Sequence, residues 1–275
     1  MTSWHAKTQA AHDFLEAAAA TPGSVLVAMD FDGTLASIVD DPGTSSLHPD
    51  AAASLADLGP KVGQVAIITG RPVATVRDLG QLQRRAGLDT LIVLGQYGTE
   101  RWDARTGVET PSENPQSVAV AKVQIERALA DLGLPGVHLE DKGRALGVHV
   151  RRCPDPTAAY AALKPLVAKI AEANALVLEP GKLVLELRAS SMSKGDALRS
   201  LIEETGATVV AMCGDDLGDL PAFDLLRDLR ADGLVTCNVV SGSHEMPALT
   251  DDADVVASGP AGVAAWLAAV ARHIG

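Results

Sequence analysis

At 275 residues, 47% hydrophobic and 21% charged, the chain can build a substantial buried core and is not disordered. A formal net charge of −12 disfavours nucleic acid and anionic membranes as partners, and an aromatic content of 3% argues against a stacking platform for single strands. Cys153, Cys213 and Cys237 are far apart and show neither a disulfide framework nor zinc-ligand spacing.

In chain order, residues 8–20 have a helical pattern. They carry His5, Lys7, His12, Asp13 and Glu16 in and around them, unlike the apolar stretch of a secretion signal. No run approaches the roughly 18 apolar residues of a membrane span. A cytoplasmic setting is expected, without nucleic-acid or membrane partners. Oligomeric state is left open, with a monomer favoured.

Residues 24–29 read as a buried strand, 49–58 as a helix, 64–68 (QVAII) as a second strand, 72–79 as a short helix and 90–94 (TLIVL) as a third strand. This βαβαβ rhythm implies a parallel sheet covered on both faces, with ligands bound beyond the carboxyl ends of its strands. The middle changes character. Asn114-Pro115 opens a helix, residues 137–151 form a hairpin, a helix runs from Pro154–Pro156 to about Asn174, and residues 176–188 form a second hairpin. Pro165 is expected to start a turn or kink the second helix, and Pro180-Gly181 to form a type II turn. After 188 the α/β rhythm returns: a helix over 194–205, a strand over 208–213, a helix over about 220–230, strands near 234–239 and 254–256, and a C-terminal helix. The expected division is a core of 1–108 and 188–275 interrupted by an αββαββ module over 109–187.

Four segments at strand ends carry chemistry. In "DFDGT" (30–34), Asp30 and Asp32 directly follow a buried strand. Carboxylates this close share a proton or bind a cation, and the pair reads as a nucleophile, Asp30, beside a proton-transfer group, Asp32, with Mg2+ neutralising the cluster. In "TGR" (69–71), a hydroxyl and backbone N–H groups before a helix form an anion cradle from Thr69, Gly70 and Arg71. In "SKGD" (193–196), Ser193 and Asp196 form a capping box. Lys194 then lies at a helix N-terminus, the unfavourable end for a cation unless it meets an anion such as phosphate. In "GDDLGD" (214–219), Asp215, Asp216 and Asp219 crowd together in a way that one acidic helix cap does not explain. Hard oxygen ligands with phosphate contacts from Thr69 and Lys194 amount to an apparatus for phosphoryl transfer to an aspartate.

In order and spacing these four segments resemble the motifs of the haloacid dehalogenase superfamily of phosphatases. The resemblance implies a Rossmann-like parallel-sheet α/β core with an inserted α+β cap domain. It implies catalytic roles for Asp30, Asp32 and Lys194, and Mg2+ held by Asp30, the backbone carbonyl of Asp32, and Asp215. Asp219 would steady Lys194 or a metal-bound water. The stretches "GQYGTERW" (95–102), "LEDKGRALGVHVR" (139–151) and "EPGKLVLELRASSMSKGDAL" (179–198) are similar to the trehalose-6-phosphate phosphatase family. That likeness implies Mg2+-dependent hydrolysis of trehalose 6-phosphate, with Glu140, Lys142 and Glu186 facing the sugar that bears no phosphate. Arg144, His149 and Arg151 are weaker candidates for the same cleft, and cross-strand charge pairing is the competing reading of Glu140, Lys142 and Glu186. Two positions depart from that pattern: Leu217-Gly218-Asp219-Leu220 stands where many relatives have Thr-Asp-Glu after the paired aspartates, and Tyr97-Gly98 replaces the usual His-Gly. Rival readings are a phosphatase of sucrose phosphate or mannosyl-phosphoglycerate, a phosphomutase, and a non-catalytic sugar-phosphate sensor.

Overall fold

The computed structural model describes residues 3–39, 41–110, 116–242, 247–250 and 253–275. The chain divides into two compact units, one of Met1–Thr110 with Met192–Gly275 and one of Pro111–Ser191.

The first unit begins with β1 (Trp4–Ala6), α1 (Gln9–Ala20), β2 (Val25–Met29), α2 (Pro49–Leu58), β3 (Gln64–Ile68), α3 (Val73–Gly80), β4 (Leu91–Gly95), β5 (Glu100–Asp103) and β6 (Glu109–Thr110). In the second unit come α4 (Gln116–Leu132), β7 (His138–Asp141), β8 (Ala145–His149), α5 (Pro156–Ala173), β9 (Val177–Gly181) and β10 (Val184–Arg188). The first unit is completed by α6 (Lys194–Thr205), β11 (Val209–Gly214), α7 (Leu220–Ala231), β12 (Val235–Gly242), β13 (Val255–Ser258) and α8 (Gly259–Ile274).

Its sheet has nine strands in the order β1-β13-β12-β11-β2-β3-β4-β5-β6. The run from β13 to β4 is parallel, and β1, β5 and β6 pair antiparallel at the edges. Both faces of the central strands are buried, which is why β2, β3 and β11 read as unbroken apolar runs. Their side chains still alternate. Val25, Val27 and Met29 join the core that contains Phe14, Leu55 and Trp266. Leu26 and Ala28 join the one that contains Leu198, Leu201 and Phe223. From β2 the chain steps through β3 and β4 to one side, then returns to lay β11 on the other. The resulting crevice at the carboxyl end of β2 is where a sheet of this kind binds ligands.

The α4–β10 unit has one four-stranded antiparallel sheet, β7-β8-β10-β9. Leu146, Val148, Leu185 and Leu187 on one face pack with Ile125, Leu163 and Val167. The expected αββαββ order is the order observed.

Three local expectations are corrected. Pro165 does not start a turn: it lies inside α5, which continues through it. The carbonyl its ring leaves unbonded belongs to Ala161, and both residues are exposed, so water satisfies it. Pro180-Gly181 is not the hairpin turn: both lie in β9, paired with Leu185 and Val184, and Lys182-Leu183 makes the connection with Leu183 at φ 57°. Pro180 is tolerated because β9 is an edge strand. The three-residue strand β1 was not anticipated; it exists by pairing with β13 far along the chain. Asn114-Pro115, expected to open a helix, lie outside the described residues. No helix among the described residues is long and apolar enough to cross a membrane.

Candidate active site

Parallel register brings the strand-end motifs together. Met29 pairs with Cys213 on one side and with Ile67 on the other, so Asp30, Asp215 and Thr69 all follow adjacent strand ends. The Asp30 amide donates to the Cys213 carbonyl at 2.8 Å. On the α6 side of the sheet, Ser193 and Asp196 form the reciprocal capping box, which places Lys194 at the first helical position. Lys194 is only 3% exposed. Its Nζ lies 2.8 Å from Asp30 Oδ1 and 2.7 Å from Asp219 Oδ1.

Asp219 is the hub of its loop. While Oδ1 takes the ammonium, Oδ2 accepts the backbone N–H groups of Asp215 (2.9 Å) and Asp216 (3.2 Å). Its side chain therefore does not cap α7. The Leu217-Gly218-Asp219 departure leaves this acid in place, fully buried. Two glycines make room for the acids. A Cβ on Gly33 would lie 2.0 Å from Asp215 Oδ2, and one on Gly214 would lie 2.3 Å from Asp219 Cγ.

The electrostatics are unbalanced. Burial raises Asp30 well above the usual carboxylate range; Lys194 opposes this, and Asp219, Asp216 and Asp32 add to it. Burial, then Asp30, Asp216 and Asp219, push Asp215 to about 9. Asp219 is raised to about 6, chiefly by burial, with Lys194 holding it down. For Lys194, burial disfavours the charge, but Asp219 and Asp30 outweigh it and keep the ammonium protonated well above an ordinary lysine. One buried cation thus faces an excess of carboxylates. Oxygens of Asp30, Asp215 and Asp219 all lie within 4.8 Å of one another. An all-carboxylate, buried, under-neutralised set is suited to a hard divalent cation such as Mg2+.

Thr69 is buried, and its hydroxyl accepts the Arg71 N–H at 3.2 Å. Gly70 is covered by Tyr97, whose hydroxyl oxygen would be 2.9 Å from a Cβ placed there. Gln96 and Tyr97 hold left-handed backbones (φ 49° and 60°), uncommon for residues other than glycine. Their N–H groups donate to the carbonyls of Arg71 and Thr69, each at 2.9 Å. The Arg71 guanidinium lies on the Asp32 carboxylate, an arrangement that motif spacing did not show.

In the second unit, Glu140, Lys142 and Glu186 come together on the sheet face opposite its apolar core. Lys142 Nζ is 2.6 Å from Glu186 and 3.9 Å from Glu140, and His149 Nε2 is 2.9 Å from Glu140. Gly147 is the register partner of both glutamates, and the space a Cβ would take there is filled by the His149 ring, whose Nε2 would lie 2.8 Å away. The cross-strand pairing weighed against a sugar role therefore exists. Arg188 with Glu179 extends the charged face by 2.5 Å pairing and had no signal in the motifs.

A family model described as trehalose-phosphatase matches residues 28–255. The chain belongs to the trehalose-phosphatase family. It is 32% identical over 254 residues to a probable trehalose-phosphate phosphatase 4 of Oryza sativa subsp. japonica, a match covering 85% of this chain and 64% of the rice protein. The chain thus spans less than two-thirds of that relative's length. Its fold is similar to the C-terminal domain of C. albicans trehalose-6-phosphate phosphatase, with a TM-score of 0.74 at 22% identity, covering 98% of both chains. It is also similar to a haloacid dehalogenase-like hydrolase from Bacteroides thetaiotaomicron, with a TM-score of 0.56 at 13% identity, covering 88% of this chain and 97% of that one. The motifs of this trehalose-phosphatase family member therefore sit on the haloacid dehalogenase-like core expected of them.

Gly33 offers a test of the crowding in this loop. Gly33→Ala forces a side chain against the Asp215 carboxylate at a left-handed backbone position (φ 72°). The variant is expected to be less stable by about 1–3 kcal/mol, read from its urea midpoint.

Proposed function

We propose that the protein hydrolyses trehalose 6-phosphate to trehalose and phosphate, using Asp30 as nucleophile and Asp32 as general acid and base. The observation that carries this reading is the contact of buried Lys194 with Asp30 and Asp219 at the shared end of β2, β11 and α6, within a chain of the trehalose-phosphatase family. A binding protein needs no lysine held against a carboxylate beside a second acid two residues on, so the catalytic reading is favoured over a sensor.

In the first step a carboxylate oxygen of Asp30 attacks phosphorus, the bond from phosphorus to the sugar oxygen breaks, and Asp32 gives that oxygen its proton. In the second, Asp32 takes a proton from water. The water oxygen attacks phosphorus and the bond to Asp30 breaks, which returns the carboxylate and releases phosphate. Lys194 and the Thr69 hydroxyl hold the phosphoryl oxygens, with the backbone N–H of Gly70 completing the cradle. Asp30, the Asp32 carbonyl and Asp215 would hold Mg2+, which when bound offsets carboxylate repulsion and the negative charge of the phosphoryl group. Asp219 fixes Lys194 through Oδ1 and the Asp215 backbone through Oδ2, so it serves as a positioning residue.

Residues 111–191 act in this reading as the specificity module. Glu140, Lys142 and Glu186 offer acceptors and donors, already ordered by one another, to the hydroxyls of the sugar that carries no phosphate. A location in the cytoplasm is part of the same proposal.

Asp30→Asn should fold, as judged by circular dichroism, yet release no phosphate from trehalose 6-phosphate; turnover near the normal rate would refute nucleophilic attack. Mg2+ should raise the melting temperature of the protein by mass action and leave Asp215→Asn unmoved. An equal rise in both would remove Asp215 from the metal site. Glu140→Ala should cut kcat/KM for trehalose 6-phosphate at least tenfold more than for p-nitrophenyl phosphate, and equal losses would deny Glu140 a sugar contact.

A further inference from the structure

Asp32 follows the end of β2 on a loop, and its side chain is 35% exposed. A carboxylate so placed has rotamers to choose among, yet proton transfer to a leaving oxygen requires one geometry, within hydrogen-bond reach of that oxygen. Arg71 supplies the constraint. Its Nε lies 2.5 Å from Asp32 Oδ2 and its Nη2 2.6 Å from Asp32 Oδ1, a side-on bidentate fork. The remaining nitrogen, Nη1, donates to the Pro42 carbonyl at 2.9 Å. Every nitrogen of the guanidinium is therefore engaged with this chain.

The backbone of Arg71 is seated as firmly. Its N–H donates to Thr69 Oγ1 at 3.2 Å, and its carbonyl accepts the Gln96 N–H at 2.9 Å. Gln96 and Tyr97 take consecutive left-handed conformations to present their N–H groups to residues 71 and 69. Such backbone strain persists where surrounding structure over-determines it. One continuous set of bonds thus runs from the strained 96–97 turn through Thr69 and Arg71 to Asp32. The fork takes one lone pair of each oxygen and the Ser45 hydroxyl lies 3.4 Å from Oδ1, so the second lone pair of Oδ2 is left to carry the proton that Asp32 gives the leaving oxygen.

We propose that Arg71 is a positioning residue: it acts on the reaction by fixing the Asp32 carboxylate, not by binding the substrate's phosphate. This rests on the reading of Asp32 as general acid and base.

The test is a double-mutant cycle of Arg71→Ala with Asp32→Asn, measured with trehalose 6-phosphate and Mg2+, together with substrate affinity by calorimetry in the non-hydrolysing Asp30→Asn background. Arg71→Ala is expected to lower kcat at least tenfold with KM changed less than threefold. It should lower kcat no more than threefold further when Asp32 is already asparagine, because a residue that works through another has nothing left to act on. The dissociation constant in the Asp30→Asn background should stay within threefold. Should the alanine variant fail to fold, Arg71→Lys carries the same cycle, since lysine keeps the charge but cannot present two parallel N–H groups. Affinity weakened tenfold or more, or losses that multiply independently of Asp32, would make Arg71 a substrate ligand and overturn the proposal. Wild-type turnover by Asp32→Asn would overturn both this proposal and the acid–base reading. A reduced but measurable rate in Asp32→Asn that falls again by the full Arg71 factor sinks only the role of Arg71.

Discussion

The organisation of the first unit follows from one electrostatic imbalance: a single buried ammonium, Lys194, set among Asp30, Asp215, Asp216 and Asp219. Two like charges about 4 Å apart repel by roughly 4 kcal/mol at the effective dielectric of a protein near its surface. No fold keeps such a cluster ionised for its own stability. The cluster is tolerable when the acids hold protons or share cations, and Lys194 supplies only part of what they need. Burial first, and the neighbouring carboxylates after it, raise Asp30, Asp215 and Asp219 against the single opposing pull of Lys194. A divalent cation removes that imbalance, and a phosphoryl group brought beside Lys194 enters a field already arranged for it.

The same crowding dictates local sequence. Gly33 and Gly214 have no side chain because carboxylates occupy the space where a Cβ would stand. At Gly195 the obstacle is the Pro221 carbonyl, whose oxygen would lie 2.5 Å from a Cβ, and the bare backbone there lets α6 approach the start of α7. Gly33 in "DFDGT" and Gly214 in "GDDLGD" are glycines for this steric reason, while the crowded acids made those segments legible without a structure. A buried strand that ends in crowded acids is costly unless a cation meets them, and the alternation of strands with helices was enough to read a parallel sheet, though not the order of its strands.

What was not legible depends on contacts between residues distant in sequence. β1 is three residues long and has no periodicity to detect; β13 creates it. The Pro180-Gly181 pair carries strong turn chemistry, but the cross-strand match of Val184 to Gly181 moves the turn to Lys182-Leu183, so register overrides propensity. Arg71 looked like part of an anion cradle because it adjoins Thr69 and Gly70. The loop after β2 brings Asp32 beneath its guanidinium instead, 39 residues earlier in the chain. Asp219 had two local roles open to it, helix cap and lysine partner, and only the observed bonds decide for the second.

On the polar sheet face of the second unit, the contacts that pair the strands are the same ones the proposed sugar role would use. Lys142 bridges Glu186 and approaches Glu140, and His149 holds Glu140 from the other side. Cross-strand pairing of this sort is ordinary on hairpins, and it is compatible with the sugar role proposed for these residues. A glutamate already fixed by lysine and histidine retains lone pairs for a hydroxyl and loses little further side-chain entropy when it accepts one. Gly147 lies between Glu140 and Glu186 across the strands, and a Cβ there would stand 2.8 Å from His149 Nε2. The glycine therefore lets the His149 ring lie back over its own strand and reach Glu140, so the missing side chain serves the same ion-paired set that orders the glutamate.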